Sequence, residues 1–133
     1  MSQENVEIVR RMFDAYNRGD LEGTLNCVAP EYEFHPSGLF MDAQHVYRGR
    51  DGWVDFWHTF GAAWESITIS IERIEDLGEE VLVLGTFHGK GCGSGVETTR
   101  EAAWLNSVQE GLLMRTRTFP NWGAALEAAG LSE

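Results

Sequence analysis

Residues 50–71 have the sequence RDGWVDFWHTFGAAWESITISI, in which the spacing of apolar residues changes from helical to extended. Asp51 is a natural N-cap, and aromatic residues then recur at the spacing of a single helix face. After Ser66, the isoleucines at 67, 69 and 71 alternate with polar residues, as in a half-buried strand. A helix followed directly by a strand is therefore predicted. The aromatic face of this helix is larger than a small core needs and consists of Trp53, Phe56, Trp57, Phe60 and Trp64.

The segments on either side complete an α+β pattern. Apolar spacing and turn residues predict helices over about 5–18 and 21–28, a strand over 32–35, strands over 81–87, 96–108 and 112–119, and a helix over 122–129. Helices followed by a run of strands predict a single domain over residues 1–133, in which the helices pack on one face of a curved, mostly antiparallel sheet. Such a sheet is cone-shaped and encloses a pocket on its concave face.

The composition excludes several classes of partner. Ten basic residues against 21 acidic ones give a net charge of −11, which repels the phosphates of nucleic acids and anionic membrane surfaces. The longest uninterrupted apolar stretch, Val81–Leu84, is far shorter than the roughly 20 residues of a membrane helix. The first residues contain no basic segment followed by an apolar run, so we expect no signal peptide and a cytoplasmic location.

No metal or cofactor site is predicted. Cys27 and Cys92 form no CxxC motif, and the glycine-rich stretch HGKGCGSG (88–95) lacks the phosphate-loop pattern, so it is interpreted as a hairpin tip. The remaining candidate ligands match no spacing typical of a metal site. They are His35, Asp42, His45, His58 and His88.

Four segments, in this order, resemble one known family. They are NVEIVRRMFDAYNRGDLEG (5–23), EYEFHP (31–36), YRGRDGWVDFW (47–57) and MRTRTFPNWGAALEAAG (114–130). Together they resemble the SnoaL-like branch of the nuclear-transport-factor-two-like superfamily, which contains polyketide cyclases and is related to ketosteroid isomerases and limonene epoxide hydrolases. The resemblance implies a cone-shaped fold with an internal pocket, binding of a small hydrophobic molecule, and chemistry without a cofactor.

His35 is the candidate catalytic base. It precedes Pro36 at the end of the first strand, and the ketosteroid isomerases place their catalytic aspartate in a similar acid-before-proline motif. The ordinary pKa of histidine, near 6.5, suits proton transfer around neutrality. The oxyanion donors of those isomerases fall on Met12 and at or beside Trp104, and Asn121 stands where the polyketide cyclases have an acidic residue. These differences argue against steroid-type isomerisation and against a cyclase with its usual acid.

Three arginines are candidate ligands of an anion. Arg100, Arg115 and Arg117 lie on the last two strands of a chain with one lysine. The hairpin turn predicts that Arg115 and Arg117 share a face with Trp104 and Asn106. If that face is concave, the arginines hold a carboxylate, phosphate or enolate; the alternative is an ion pair with nearby acids, or stacking on Trp104.

Three functions stay open at this point. The first is an isomerase-, cyclase- or hydrolase-like enzyme acting on a hydrophobic cyclic molecule with His35 as base. The second is a non-catalytic binding protein for a small apolar ligand, neutral or anionic. The third is a structural dimer module whose cavity is merely packed. Whichever function holds, the apolar outer sheet face, with Leu105, Leu112 and Met114, predicts a homodimer through the sheets. The predicted ligand-binding residues are Tyr16, Trp57, Phe60, Arg100, Trp104, Asn106, Arg115, Arg117 and Asn121.

Overall fold

The computed structural model describes residues 2–36 and 46–131, which form four helices and six strands. In chain order these are α1 (Ser2–Asn17), α2 (Leu21–Leu25), β1 (Val28–His35), β2 (Tyr47–Arg48), α3 (Gly49–Gly61), β3 (Trp64–Asp76), β4 (Glu80–Gly91), β5 (Glu97–Gln109), β6 (Leu112–Phe119) and α4 (Trp122–Ala128). All six strands form one curled sheet in the order β2-β1-β6-β5-β4-β3. The predicted α+β class is confirmed: β3 to β6 form an antiparallel meander, and β1 joins it by parallel pairing with β6.

The turn between α1 and α2 forms as its residues predict. Gly19 has a φ of 72°, a left-handed conformation that glycine adopts at little cost. The Asp20 carboxylate accepts a hydrogen bond from Gly23 N (2.9 Å) and caps α2. The Asn17 side chain fastens α1 to the edge strand β3, because it both donates to Ile69 O and accepts from Ile69 N, each at 2.9 Å.

Helix α3 begins before the predicted N-cap. Its N-cap residue is Arg48, whose side chain makes no capping hydrogen bond, and Gly49 is the first helical residue. Asp51 therefore lies inside the first turn, and its predicted role as N-cap is wrong. An acidic residue in the first turn still interacts favourably with the positive end of the helix dipole.

Helix α3 also ends before its aromatic spacing predicts. It ends at Gly61, and Trp64 is the first residue of β3, so the prediction that Trp64 belongs to the helix is wrong. The carbonyl of Ala63 already accepts a hydrogen bond from Cys92 N (3.0 Å), which ties this residue to the neighbouring hairpin. The Trp64 ring reaches the same aromatic cluster from the strand, where it lies 5.9 Å from the ring of Phe60.

A bulge in the β5–β6 hairpin reverses the faces that the turn predicts for β6. Next to the turn, Val108 pairs with Leu113 as expected, but Ser107 pairs with Arg115, so Met114 is an extra residue in β6. Because side chains alternate along a strand, one extra residue moves every later side chain to the opposite face.

The bulge decides which side chains of β6 accompany Trp104 and Asn106. Their partners across the hairpin are Thr118 and Thr116, respectively. The prediction that the two arginines of β6 lie on this face is therefore wrong. Both arginines lie on the opposite face of the sheet, paired with Ser107 and Leu105.

Different helices cover the two faces of the sheet. Helices α1, α2 and α3 pack on the concave face, as predicted. Helix α4 differs from the prediction, because its Ala125 and Leu126 pack on the opposite face against Leu82, Leu84 and Leu105. Leu105 is 3% exposed, so it does not belong to an open outer patch, and the homodimer through the sheets stays a prediction. Among the described residues, no helix combines the length and apolar character needed to cross a membrane.

Candidate functional site

A cavity lies between the concave face of the sheet and helices α1 and α3. Its volume is about 40 Å³, which is room for roughly three water molecules. Most of the lining is aromatic. The lining residues that carry polar groups are Asn106, Thr116, Tyr16, Tyr32 and the tryptophans Trp53 and Trp104.

The helical wall of the cavity is built around Trp53. Its indole Nε1 donates to the hydroxyl of the fully buried Thr24 (2.9 Å), which fixes the ring. Phe34 meets Trp53 edge to face with ring centroids 5.2 Å apart, and Phe56 stacks on it at 5.7 Å. Phe60 extends the stack beyond Phe56 at 5.2 Å. These mutual contacts make a flat, preorganised aromatic wall.

The sheet wall contains Trp104, whose ring meets Phe13 edge to face at 5.1 Å. Gly85, on the neighbouring strand, makes room for this ring. A Cβ atom at Gly85 would lie 3.3 Å from the Trp104 ring and 2.5 Å from Ser70 O, so a larger residue would force the strands or the ring to move.

A chain of hydrogen bonds forms the polar corner, which we define as Tyr32, Thr116 and Asn106. Tyr32 Oη donates to Thr116 Oγ1 at 2.7 Å, and Thr116 Oγ1 donates to Asn106 Oδ1 at 2.8 Å. Asn106 Nδ2 donates to the main-chain carbonyls of Val81 (3.1 Å) and Trp104 (3.3 Å). All three side chains are at most 3% exposed, and burial raises the pKa of Tyr32 above its ordinary value.

Tyr16 separates the cavity from a groove at the surface. The groove has a volume of about 340 Å³ and runs between the end of α1, the end of α3 and the start of β3. Tyr16 lines both spaces, and its ring meets Trp57 edge to face at 5.4 Å. Burial raises the pKa of the Tyr16 hydroxyl, so this group is a neutral phenol around neutrality.

The structure brings four of the predicted ligand-binding residues together in the cavity lining: Tyr16, Phe60, Trp104 and Asn106. Trp57 lies on the other side of Tyr16, in the groove. The interpretation of the α3 aromatic face as a wall therefore applies to Phe60 and not to Trp57.

His35 lies on the opposite face of the sheet from the cavity. It is paired with Arg117, whereas its neighbour Phe34 is paired with Thr116 and lines the cavity. The imidazole Nε2 lies 3.1 Å from Glu33 Oε1, and Arg48 donates to Glu33 Oε2 at 2.7 Å. The hydrogen bond with His35, and then the charge of Arg48, lower the pKa of Glu33. This geometry does not place His35 as a base for a molecule in the cavity, contrary to its predicted role.

The predicted anion ligands are also outside the cavity lining. Arg115 is exposed on the face opposite to the cavity, and Arg117 lies over the ring of Phe119, 5.2 Å from its centroid. Arg100 shares the concave face, as its pairing with Phe87 shows, but is exposed and lies beyond the cavity.

Asn121 has a structural contact in place of the predicted ligand contact. Its side chain accepts a hydrogen bond from Ala124 N at 2.7 Å and caps α4.

Sequence reasoning missed Tyr32, Phe34 and Thr116. The signal for the first two was present, because in EYEFHP the apolar residues alternate with polar ones, and a strand that points Tyr32 and Phe34 inward must point His35 outward. Thr116 carried no such signal, since its orientation depends on the bulge at Met114.

The described residues contain no cluster of His, Cys, Asp and Glu that could hold a metal ion. Asp42 and His45, two of the candidate ligands in the sequence, lie outside the described residues.

Comparison with solved structures identifies the fold. A nuclear-transport-factor-two-like protein of unknown function from Burkholderia pseudomallei has a TM-score of 0.80 at 21% identity, over 93% of this chain and 95% of that one. A putative SnoaL-like polyketide cyclase from a Jannaschia species has a TM-score of 0.76 at 19% identity, over 98% and 94%. A Mycobacterium tuberculosis protein in complex with estradiol-17beta-hemisuccinate has a TM-score of 0.76 at 17% identity, over 90% and 95%. At these identities the likeness shows the fold alone.

Sequence comparison gives the family. No curated protein matches the chain. The sequence model of the SnoaL-like domain family matches residues 9–116, which is most of the 133-residue chain. The chain therefore belongs to the SnoaL-like domain family.

Proposed function

We propose that this protein binds a small, uncharged and largely apolar molecule in the aromatic cavity. The observation that carries the proposal is the chemistry of the lining. Among the described residues, the only titratable groups that line the cavity are the phenols of Tyr16 and Tyr32. Burial raises the pKa of both, so the cavity is neutral around physiological pH.

A neutral aromatic cavity disfavours an anionic ligand, because a negative charge loses its hydration without gaining a partner. The volume of about 40 Å³ limits the size of the ligand, because a single ring enters only if the side chains of the wall move. The estradiol ester bound by the Mycobacterium tuberculosis protein supports small-molecule binding in this fold. Acid–base catalysis is not proposed, because the described lining has no group that exchanges a proton near neutrality.

Ligand binding is tested by thermal denaturation with single-ring probes such as phenol, indole and cyclohexanol. A ligand at ten times its Kd stabilises the folded state by about 1.4 kcal/mol, which raises the Tm by roughly 5 °C for a domain of this size. Ile69 and Ile71 offer a matched pair of variants on β3. Both are half-buried against the core, but Ile69 lines the cavity and Ile71 does not.

Ile69→Phe is expected to fill the cavity and abolish the Tm shift, whereas Ile71→Phe is expected to retain it. If no probe raises the Tm of the unmodified protein, the proposed function is refuted. Equal loss in both variants would show that the ligand binds elsewhere.

A further inference from the structure

We propose that the cavity selects molecules that donate a hydrogen bond, through a hydroxyl or N–H group, to the polar corner. This inference rests on the proposed function and names the class of ligand. It follows from the direction of the hydrogen bonds, which the main chain fixes.

The orientation of the Asn106 amide is set by two carbonyls. Its Nδ2 lies 3.1 Å from Val81 O and 3.3 Å from Trp104 O, and a carbonyl oxygen only accepts. The opposite orientation would place the side-chain oxygen against these two acceptors. Asn106 Oδ1 must therefore face Thr116, and both amide hydrogens are already used.

The orientation of the Asn106 amide determines the direction of the other two hydrogen bonds of the polar corner. Because Asn106 Oδ1 only accepts, the bond of 2.8 Å to Thr116 Oγ1 uses the threonine hydrogen. Thr116 Oγ1 then accepts over 2.7 Å from Tyr32, which uses the tyrosine hydrogen. Every hydrogen of the polar corner is thus directed into the protein.

The polar corner consequently presents only acceptor sites to the cavity. Tyr32 and Thr116 both line the cavity, and their oxygens keep lone pairs that no described residue uses. We call the hydrogen-bond chain from Tyr32 through Thr116 to Asn106 the relay. If either hydroxyl turned toward a ligand carbonyl, a buried acceptor of the relay would lose its donor, so binding of a carbonyl group is disfavoured. A ligand hydroxyl or N–H binds without disturbing the relay.

Isosteric ligand pairs test this selectivity. Phenol and fluorobenzene have nearly the same shape, but fluorobenzene cannot donate and is the more hydrophobic of the two. Without a hydrogen bond in the cavity, fluorobenzene would bind more tightly. We expect phenol to bind at least fivefold more tightly, and cyclohexanol at least fivefold more tightly than cyclohexanone, by isothermal titration calorimetry.

Two variants and one control locate the effect. Tyr32→Phe removes one of the two acceptors and should reduce the preference for phenol. Thr116→Val removes the group that takes the Tyr32 hydrogen, so Tyr32 can donate to the ligand and the preference should shift toward cyclohexanone. Thr118→Val is the control, since this buried threonine donates to His35 O (3.0 Å), outside the relay; it should keep the original preference.

Each outcome separates this inference from the proposed function. If fluorobenzene binds as tightly as phenol, and Ile69→Phe abolishes the binding of both, the donor selectivity is overturned and the proposed function stays intact. An unchanged preference in Tyr32→Phe would also overturn the inference, and this variant serves if Thr116→Val does not fold. No binding of any probe would refute the proposed function, and the inference with it.

Discussion

Replacement of Asn106 by aspartate tests the polar corner without any ligand. The two side chains have almost the same shape, so the Asn106→Asp substitution exchanges only the Nδ2 group for an oxygen. In the folded protein that oxygen would face the carbonyls of Val81 and Trp104 with no hydrogen between them. Only the protonated acid can supply a hydrogen, so the folded state of the variant should favour the neutral carboxyl group over the carboxylate.

The size of the effect follows from burial. Asn106 is 1% exposed, and complete burial raises the pKa of a carboxyl group by up to about 3–5 units above its ordinary value near 3.9. An acid with a raised folded-state pKa does not penalise folding below the unfolded-state pKa. Above the unfolded-state pKa, the free energy of unfolding of the variant falls by about 1.4 kcal/mol for each pH unit, until the folded-state pKa is reached. At pH 7 the loss is about 4 kcal/mol, a large part of a typical stability of roughly 5–15 kcal/mol.

The assay is urea denaturation of the variant and of the unmodified protein between pH 4 and pH 8. We expect the difference in the free energy of unfolding to be smallest at pH 4 and to grow as the pH rises. Asn121→Asp is the matched control, because the same exchange at an exposed N-cap keeps the hydrogen bond from Ala124 N and should cost little at any pH. A difference for Asn106→Asp that does not change with pH would refute the assigned direction of the relay.

Three further substitutions test the structural roles assigned above. His35→Ala should change ligand affinity by less than twofold, because His35 faces away from the cavity; the pKa of Glu33 should rise toward its ordinary value in an NMR titration, since its largest lowering influence is removed. Asn121→Ala should lower the free energy of unfolding by about 1 kcal/mol in urea, with unchanged ligand affinity. Thr24→Val should cost about 1–3 kcal/mol by leaving the Trp53 N–H without its acceptor, and Thr24→Ser should restore most of this loss.

The fold class could be predicted from the sequence because its apolar residues recur at regular spacing over long segments. The aromatic period after Asp51 and the alternation of isoleucines after Ser66 predicted α3 and β3, with errors of a few residues at their ends. The position of β1 in the sheet was not predictable in this way. Its parallel pairing with β6 joins segments about 80 residues apart, and no local pattern reports such a contact.

The site was predicted only in part, for two different reasons. His35 was placed by analogy with a catalytic motif, although the alternation of Tyr32 and Phe34 already indicated the opposite face. The arginines were placed by the period-2 rule, which was correct next to the turn and failed beyond Met114. A bulge that adds one residue leaves no composition or spacing signal in LLMRTRTF (112–119), so the second error could be found only from the register.

The bulge at Met114 determines the charge of the cavity. If Met114 paired with Ser107 instead of forming the bulge, the pairing beside the turn would continue and bring Arg115 opposite Asn106 and Arg117 opposite Trp104, on the concave face. Two cations would then be buried among aromatic rings with no described carboxylate in the lining, at a cost of several kcal/mol for each unpaired ion. With Met114 in the bulge, Thr116 occupies the position opposite Asn106, and the arginines face outward, where Arg117 lies over the ring of Phe119. The bulge therefore exchanges an anion-binding lining for a neutral one that accepts hydrogen bonds, and it is the local feature on which the proposed class of ligand depends.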